Sequence, residues 1–342
     1  MEFPQLRAEV LTGIATGVKV PQGELPMTQL TSGVAQDVRG DVAKWDEKQP
    51  VRTLDTAFEG REGRSTTTDP GTVLSRAAGM LTSFKKRIIK PEVMDQLRAV
   101  GGTDADVASA EVSIALQVGD MMRRHYYEKV EYLVTSALLD NQSVTVGGAT
   151  VTPDYNLDAS HDITVGVSWA TTTTDIDGDM ETIKRLIAED SGRAARQVIC
   201  GRNIFGYLRK NAVVKEWFTA QSGAPAAYES MFGESIRGLM GLDWYTYLGG
   251  YIASGPTWTP FIPDDTIIVM PSMDSGWFQR HRGQVQWPSS VYGSVTSFNK
   301  SYGVASWSRL KDDPPEAWMF QRWAELAIPV FPAAYVVADV TP

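Results

Sequence analysis

Three histidines and a single cysteine are the side chains in this 342-residue chain best suited to proton transfer or nucleophilic attack. His125 sits within a helical pattern beside Tyr126 and Tyr127, and neither Met121 nor Lys129, four residues away on each side, could share a metal with it. His161 adjoins Asp162 and His281 adjoins Arg280, but adjacency in sequence does not make a dyad; a base must reach a nucleophile in space. Cys200 follows Val198 and Ile199 in an apolar run and reads as a small buried residue. With one cysteine, no intrachain disulfide and no cysteine-based zinc site can be built. No Gly-x-Ser-x-Gly elbow or phosphate-cradling glycine motif occurs. The acids Asp175, Asp177 and Asp179 resemble the opening of a calcium loop, but the sixth position is Met180 and the twelfth Leu186, where Gly and Glu are required. Helix N-capping explains them more simply. The survey yields no catalytic, cofactor-binding or metal-binding residue.

Charge points the same way. Lys plus Arg total 32 against 41 for Asp plus Glu, a net charge of -9, whereas a dedicated nucleic-acid binder needs a basic excess. The run Lys85-Lys86-Arg87, followed by Lys90, could touch phosphates and is equally a solvated edge. The ten tryptophans, mostly late in the chain, read as core and interface anchors rather than a sugar platform. The longest uncharged apolar stretch, Leu326 to Ala338, is broken by Pro329 and Pro332 and falls short of the roughly 18 residues of a membrane span. With no signal-like start, the expectation is a soluble protein made in a reducing compartment.

The elements around these residues are more telling. The first 33 residues are thinly apolar and broken by Gly13, Gly17, Pro21 and Pro26, so they are expected to lie along another surface. From Val34 to about Lys90, short β-leaning pieces (Val38 to Trp45, Val51 to Phe58, Thr66 to Leu74) flank the polar run Glu59-Gly-Arg-Glu-Gly-Arg64. A ribbon of this kind is marginal alone and needs a surface to lie on. Val112, Leu116, Gly119, Met122, Tyr126, Val130, Leu133 and Ala137 recur at three- and four-residue spacing. Opposite them run Ser113, Gln117, Asp120, Arg124, Glu128, Glu131 and Thr135, which predicts a helix from 104 to 140, on the order of 50 Å long.

Beyond it, the pattern predicts a hairpin over Val144 to Thr152, a strand from Thr164 to Thr172, a helix over Asp179 to Glu189 and a buried strand Gln197 to Cys200. A helix over Asn203 to Lys210 follows, then a hairpin pairing Leu242 to Leu248 with Tyr251 to Ser254, and an apolar strand Thr266 to Met270. Trp318, Phe320, Ala324, Leu326 and Ile328 alternate as one strand face, and Tyr335 to Val340 closes the chain as a strand. An extended arm, a long ribbon and an over-long helix expose more surface than a monomer covers, so the residues predict a subunit that completes its burial on identical copies.

This order of elements resembles the major capsid proteins of tailed bacteriophages, which share the Hong Kong 97 fold, and more specifically the phage lambda major capsid protein E family. The similarity is carried by Phe84-Lys-Lys-Arg-Ile-Ile-Lys-Pro-Glu-Val93, Ile199-Cys-Gly-Arg-Asn-Ile-Phe205, Pro263-Asp-Asp-Thr-Ile-Ile-Val-Met270 and Asp312-Asp-Pro-Pro-Glu316 in that order. It implies an α+β fold with an N-terminal arm (1–33), an extended loop and its return (34–90), and a peripheral domain (91–174) bearing the spine helix. An axial domain (175–300) and return strands of the peripheral domain (301–342) would complete it. It further implies no enzyme and no cofactor, and a major capsid protein that self-assembles as hexamers and pentamers into an icosahedral shell around phage DNA, with expansion from a precursor. Implied partners are a portal protein, a separate scaffold protein, a decoration protein and non-specifically held DNA, with no membrane; the place is the virion, assembled in the bacterial host cytoplasm. Interface residues expected in the loop are Arg61, Glu62 and Arg64 at its tip, with Lys44 and Lys48 nearer its root. Two rival readings remain: a tail-tube or decoration protein, which is usually shorter and all-β, and a hydrolase using His281 or Cys200.

Overall fold

The computed structural model describes residues 27, 30–40, 42–48, 73–89, 104–140, 144–146, 149–151, 155, 157–216, 235–252, 257–288, 298–312 and 315–342. Along the chain, β1 (Ala35–Val38) and β2 (Val42–Lys48) are followed by β3 (Val73–Gly79), β4 (Leu81–Ile89) and the helix α1 (Asp104–Leu138). A hairpin of β5 (Val144–Val146) and β6 (Ala149–Val151) precedes β7 (Asp162–Thr164), α2 (Ile176–Ser191), β8 (Gln197–Cys200) and α3 (Ile204–Lys210). Five short strands come next: β9 (Ser235–Leu239), β10 (Leu242–Thr246), β11 (Gly250–Ile252), β12 (Trp258–Pro260) and β13 (Thr266–Met270). Longer strands close the chain: β14 (Phe278–Pro288), β15 (Phe298–Tyr302), β16 (Val304–Asp312) and β17 (Pro315–Pro329), ending with β18 (Val336–Asp339).

The described residues gather into two compact units, the first drawn from Met1–Ala43, Ala78–Val134 and Arg280–Ala327 and the second from Lys44–Ala77, Thr135–Gln279 and Ile328–Pro342. In the first, β17 lies at the centre of a six-stranded sheet ordered β1-β14-β17-β16, with β15 also paired to β14 and β4 to β17. Helix α1 packs on this sheet: every described member of its apolar stripe in this unit, including Met122, Tyr126, Val130 and Leu133, is buried. The polar series opposite behaves differently from the expectation of a solvated face, because Glu131 and Thr135 are buried as well.

The second unit holds a sheet ordered β7-β18-β13-β8-β10-β9 with α2 and α3. Its middle strand β13 is buried at every position, as its unbroken run Thr-Ile-Ile-Val-Met requires. Helix α2 begins at Asp175, whose carboxylate accepts the Gly178 amide at 3.1 Å; it buries Ile176, Met180, Ile183 and Ile187 and stops at Gly192, whose φ of 69° suits a residue without a Cβ. Trp244 is fully buried and donates its indole N–H to the Leu239 carbonyl at 2.9 Å.

Strands and helices at Val144–Val151, Ile176–Ser191, Gln197–Cys200, Ile204–Lys210 and Thr266–Met270 match the sequence pattern, while three readings need correction. The stretch Val38 to Trp45 is two strands, since the chain turns at Gly40 with φ 109°. Thr164 to Thr172 is not a strand: the Thr171 amide and the Thr174 hydroxyl both bond to the Ser168 carbonyl, at 3.1 and 2.8 Å, a local turn that replaces ladder pairing. Leu242 to Thr246 does not pair with Tyr251; β10 runs parallel to β8 and antiparallel to β9, while β11 pairs with β12. In β17 Trp318, Phe320, Ala324, Leu326 and Ile328 share one face as the alternation predicts, while the opposite face buries Met319, Gln321, Trp323 and Glu325. Val51 to Phe58 and residues 66–72 of the third β-leaning piece lie outside the described residues.

Candidate assembly surface

An exposed strand next to a charged one would be unremarkable, but in the first unit polar side chains are buried where a simple core would be apolar. Glu325 on β17 is fully buried. Its carboxylate accepts the Tyr126 hydroxyl from α1, and Arg280 on β14 brings its Nε to 3.5 Å. Burial raises the Glu325 carboxyl above its ordinary range, with the Arg280 charge and the Tyr126 hydroxyl opposing the shift. Burial also pushes the Tyr126 phenol well up, helped by the Glu325 charge beside it. Stripping a carboxylate of water is costly unless it is paired, so these three groups are obliged to stay together.

The same cluster fastens the N-terminal segment. Glu131, fully buried on α1, accepts the Met27 amide at 3.2 Å. Thr31 donates its hydroxyl to the Met27 carbonyl at 2.8 Å and receives Arg280 Nη1 at 3.4 Å. A little further on, β1 runs parallel to β14 with Asp37 opposite Arg282, and their side chains form an ion pair at 2.8 Å. The described end of the N-terminal arm, Met27 and residues 30–33, is thus held by hydrogen bonds to Glu131 and Arg280, and β1 after it by backbone pairing and charge; residues 1–26 lie outside the described residues.

The loop root is the β2–β3 ribbon. Lys44 is exposed between the buried Ala43 and Trp45, Asp46 accepts the Ser75 hydroxyl at 2.7 Å, and Lys48 is the last residue of β2. Of the expected interface residues, Lys44 and Lys48 therefore share one strand, whereas Arg61, Glu62 and Arg64 lie outside the described residues. Sequence reasoning missed Tyr126, Glu131, Arg280 and Glu325. Only the charges inside an otherwise apolar β17, and Glu131 late on an otherwise apolar stretch of helix, could have signalled them.

The residues of the hydrolase rival are placed as structure. Cys200 is fully buried in β8, donates to the Tyr245 carbonyl at 3.3 Å, and has its thiol pushed by burial up to about 12. His281 is buried in β14, and that burial lowers its proton affinity. His161 is buried too, with Nδ1 at 2.8 Å from the Tyr335 carbonyl and Nε2 at 2.9 Å from Asp190, and ties the second unit's sheet to α2. Among the described residues no three His, Cys, Asp or Glu side chains gather as a metal site. None of their helices is long and apolar enough to cross a membrane.

What the first unit leaves open is surface. Phe84 and Ile88 on β4 are 57% and 44% exposed, and in the second unit Ile252 and Trp258, opposite one another across β11 and β12, are 61% and 40% exposed.

A long helix on a β17-centred sheet, a β2–β3 ribbon and a second unit with its own mixed sheet form the Hong Kong 97-like fold of phage capsid subunits. The sequence profile of phage major capsid protein E matches residues 46–295, and the chain belongs to that family of shell-forming virion proteins. Among solved structures, one described as the capsid protein of a prophage of Escherichia coli CFT073 is 15% identical with a TM-score of 0.66, covering 98% of this chain and 99% of that one. The capsid of the cyanophage P-SCSP1u is 11% identical with a TM-score of 0.52, over 95% and 93% of the two chains. The mature capsid of bacteriophage PhiM1 is 10% identical with a TM-score of 0.51, over 90% and 85%. No curated protein sequence matches the chain.

Proposed function

We propose that many copies of this chain close as hexamers and pentamers into an icosahedral shell around packaged phage DNA, and that the chain carries no catalytic activity. The family match over residues 46–295 carries the reading, and the exposed apolar surface of the described residues supports it. In this proposal the unit with α2 and α3 is the axial domain, meeting its copies at the five-fold and six-fold axes, and the unit with most of α1 is the peripheral domain. The loop rising from β2 and β3 lies over a neighbour, with Arg61, Glu62 and Arg64 forming ion pairs there and Lys44 and Lys48 contributing nearer the root. Each pair is weak alone; repetition over the lattice supplies strength. A net charge of -9 suits a container, since a strongly basic lining would immobilise the DNA.

Expansion from a precursor shell proceeds by rigid-body rotation with bending of loop and helix. A portal, a separate scaffold and a decoration protein complete the particle, which is assembled in the bacterial host cytoplasm. The test is electron microscopy of the purified chain, made with and without the products of neighbouring genes, beside a variant lacking Glu59 to Arg64. Closed shells from the intact chain and their loss or weakening in the deletion are expected. Deletion shells of unchanged stability would overturn the role given to the loop.

A further inference from the structure

The basic run Lys85-Lys86-Arg87 is divided by β4 between the two faces of the first unit's sheet. Lys86 stands opposite Phe320 and places its ammonium 3.2 Å from the centre of the Trp318 ring. Lys85 and Arg87 stand opposite Gln321 and Met319, on the face of β17 whose Glu325 takes the Tyr126 hydroxyl from α1. There they meet the helix. Arg87 brings a guanidinium nitrogen to 2.9 Å from the Met121 sulfur, and Lys129 lies close enough to Lys85 for the two charges to repel. Burial, and then the Lys85 charge, lower the proton affinity of Lys129. None of these three cations pairs with a carboxylate among the described residues, and a thioether is a weak acceptor. Of the acids nearby, Glu128 is 3.2 Å from His125, Glu325 is held by Arg280 and Tyr126, and Asp120 is exposed. Gln321, beside Lys85 in the ladder, is neutral and buried. Arg87 and Met121 are exposed while Lys85 and Lys129 are half-buried, so the seam opens to solvent at its Arg87 end.

We infer that this seam between β4 and α1 holds phosphates of the packaged duplex DNA, with Lys85, Arg87 and Lys129 as the contacts; the inference rests on the shell reading above and names the residues by which the shell touches its contents. Like charges gathered in a half-buried seam cost stability, and an anion joining them from outside the subunit removes that cost. The chain as a whole is acidic, with a net charge of -9, so a cluster of cations without a paired carboxylate runs against its composition. Spacing fits the same partner. Lys85 and Arg87, two residues apart on one strand, are separated by about 6.6 Å, close to two of the roughly 3.4 Å steps by which phosphates advance along one strand of a duplex. The site is also sparse. Three cations per subunit bind weakly alone, yet repeated over a shell they hold the outermost duplex without immobilising the rest.

The experiment measures binding of a short duplex of mixed sequence to dissociated full-length subunits between about 50 and about 200 mM salt. Three phosphate contacts predict a slope of about -2.7 in log K against log salt, a loss of roughly 40-fold over that range. The variant K85Q/R87Q/K129Q should lose this binding. K86Q/R322Q, which removes two cations from the opposite face of the sheet, should keep it. Arg87→Gln alone, at an exposed side chain, should make the slope shallower by about one, which keeps the test open if circular dichroism shows the triple variant unfolded. Equal binding by the folded triple variant, equal loss in K86Q/R322Q, or equal affinity for poly-glutamate would each overturn the inference. Displacement of the duplex by inorganic phosphate at an equal phosphate concentration would overturn it too, because it marks a site for one free anion. Shells are scored separately by electron microscopy. Their absence from the unaltered chain would overturn the shell reading, whereas shells whose subunits bind DNA independently of these three residues would overturn this inference alone.

Discussion

Tyr126 on α1 donates its hydroxyl to Glu325 on β17, a partner 199 residues away in sequence, and both side chains are buried. With Arg280 on the second carboxylate oxygen, this contact fixes the long helix to the sheet by polar as well as apolar means. Removing one partner should cost more than neutralising the acid. Tyr126→Phe leaves a buried carboxylate short of a donor and should destabilise by about 1–3 kcal/mol, measured by denaturant unfolding of dissociated subunits.

Glu325→Gln probes the same cluster through pH. Burial raises the Glu325 carboxyl above its ordinary 4.5, so the native state holds this proton more tightly than the unfolded chain. Its contribution is fully present below about pH 4.5 and is lost as pH rises through the native value. The melting temperature of the wild type relative to Glu325→Gln should therefore fall between about pH 4 and about pH 7. A constant difference would contradict the assignment.

His281 has the opposite sign. Burial lowers its proton affinity below the ordinary 6.5, so the unfolded chain takes up the proton first. Stability is present above about pH 6.5 and declines as pH falls through the native value. His281→Gln should flatten the acid side of the stability profile, read by melting temperature between about pH 7.5 and about pH 5.

Glu131→Ala deprives the Met27 amide of its acceptor, with Thr31 and Arg280 in the same chain of contacts. Limited proteolysis should then cut within the N-terminal 34 residues several-fold faster than in the wild type, while cleavage elsewhere stays the same. Equal rates at both places would show that Glu131 does not hold the segment.

Cys200 offers a simple check on the hydrolase rival. A fully buried thiol raised to about 12 should resist thiol reagents in the folded chain at about pH 8 and react at once in denaturant. Fast labelling of the native chain would reopen that reading.

The long helix, the short buried strands Gln197–Cys200 and Thr266–Met270, and α2 were legible in the sequence because each has one dominant signal: a stripe, an unbroken apolar run, or an N-cap followed by periodic Ile and Met. Pairing was less legible. Nothing local says that Leu242–Thr246 joins β8 in parallel, since partners distant in sequence decide it. The alternation of Trp318, Phe320, Ala324, Leu326 and Ile328 on one face of β17 was legible, but the burial of Gln321 and Glu325 on the other was not, because it depends on residues far away in sequence. The N-terminal anchor was hidden for the same reason: Glu131 reads as one more solvated carboxylate until Met27 is placed beside it.

Sedimentation velocity of the purified full-length chain across a wide concentration range, with and without the products of neighbouring genes, tests the central claim most directly. The account predicts that subunits give way to large, uniform, closed particles. A species that stays monomeric under every condition would contradict it.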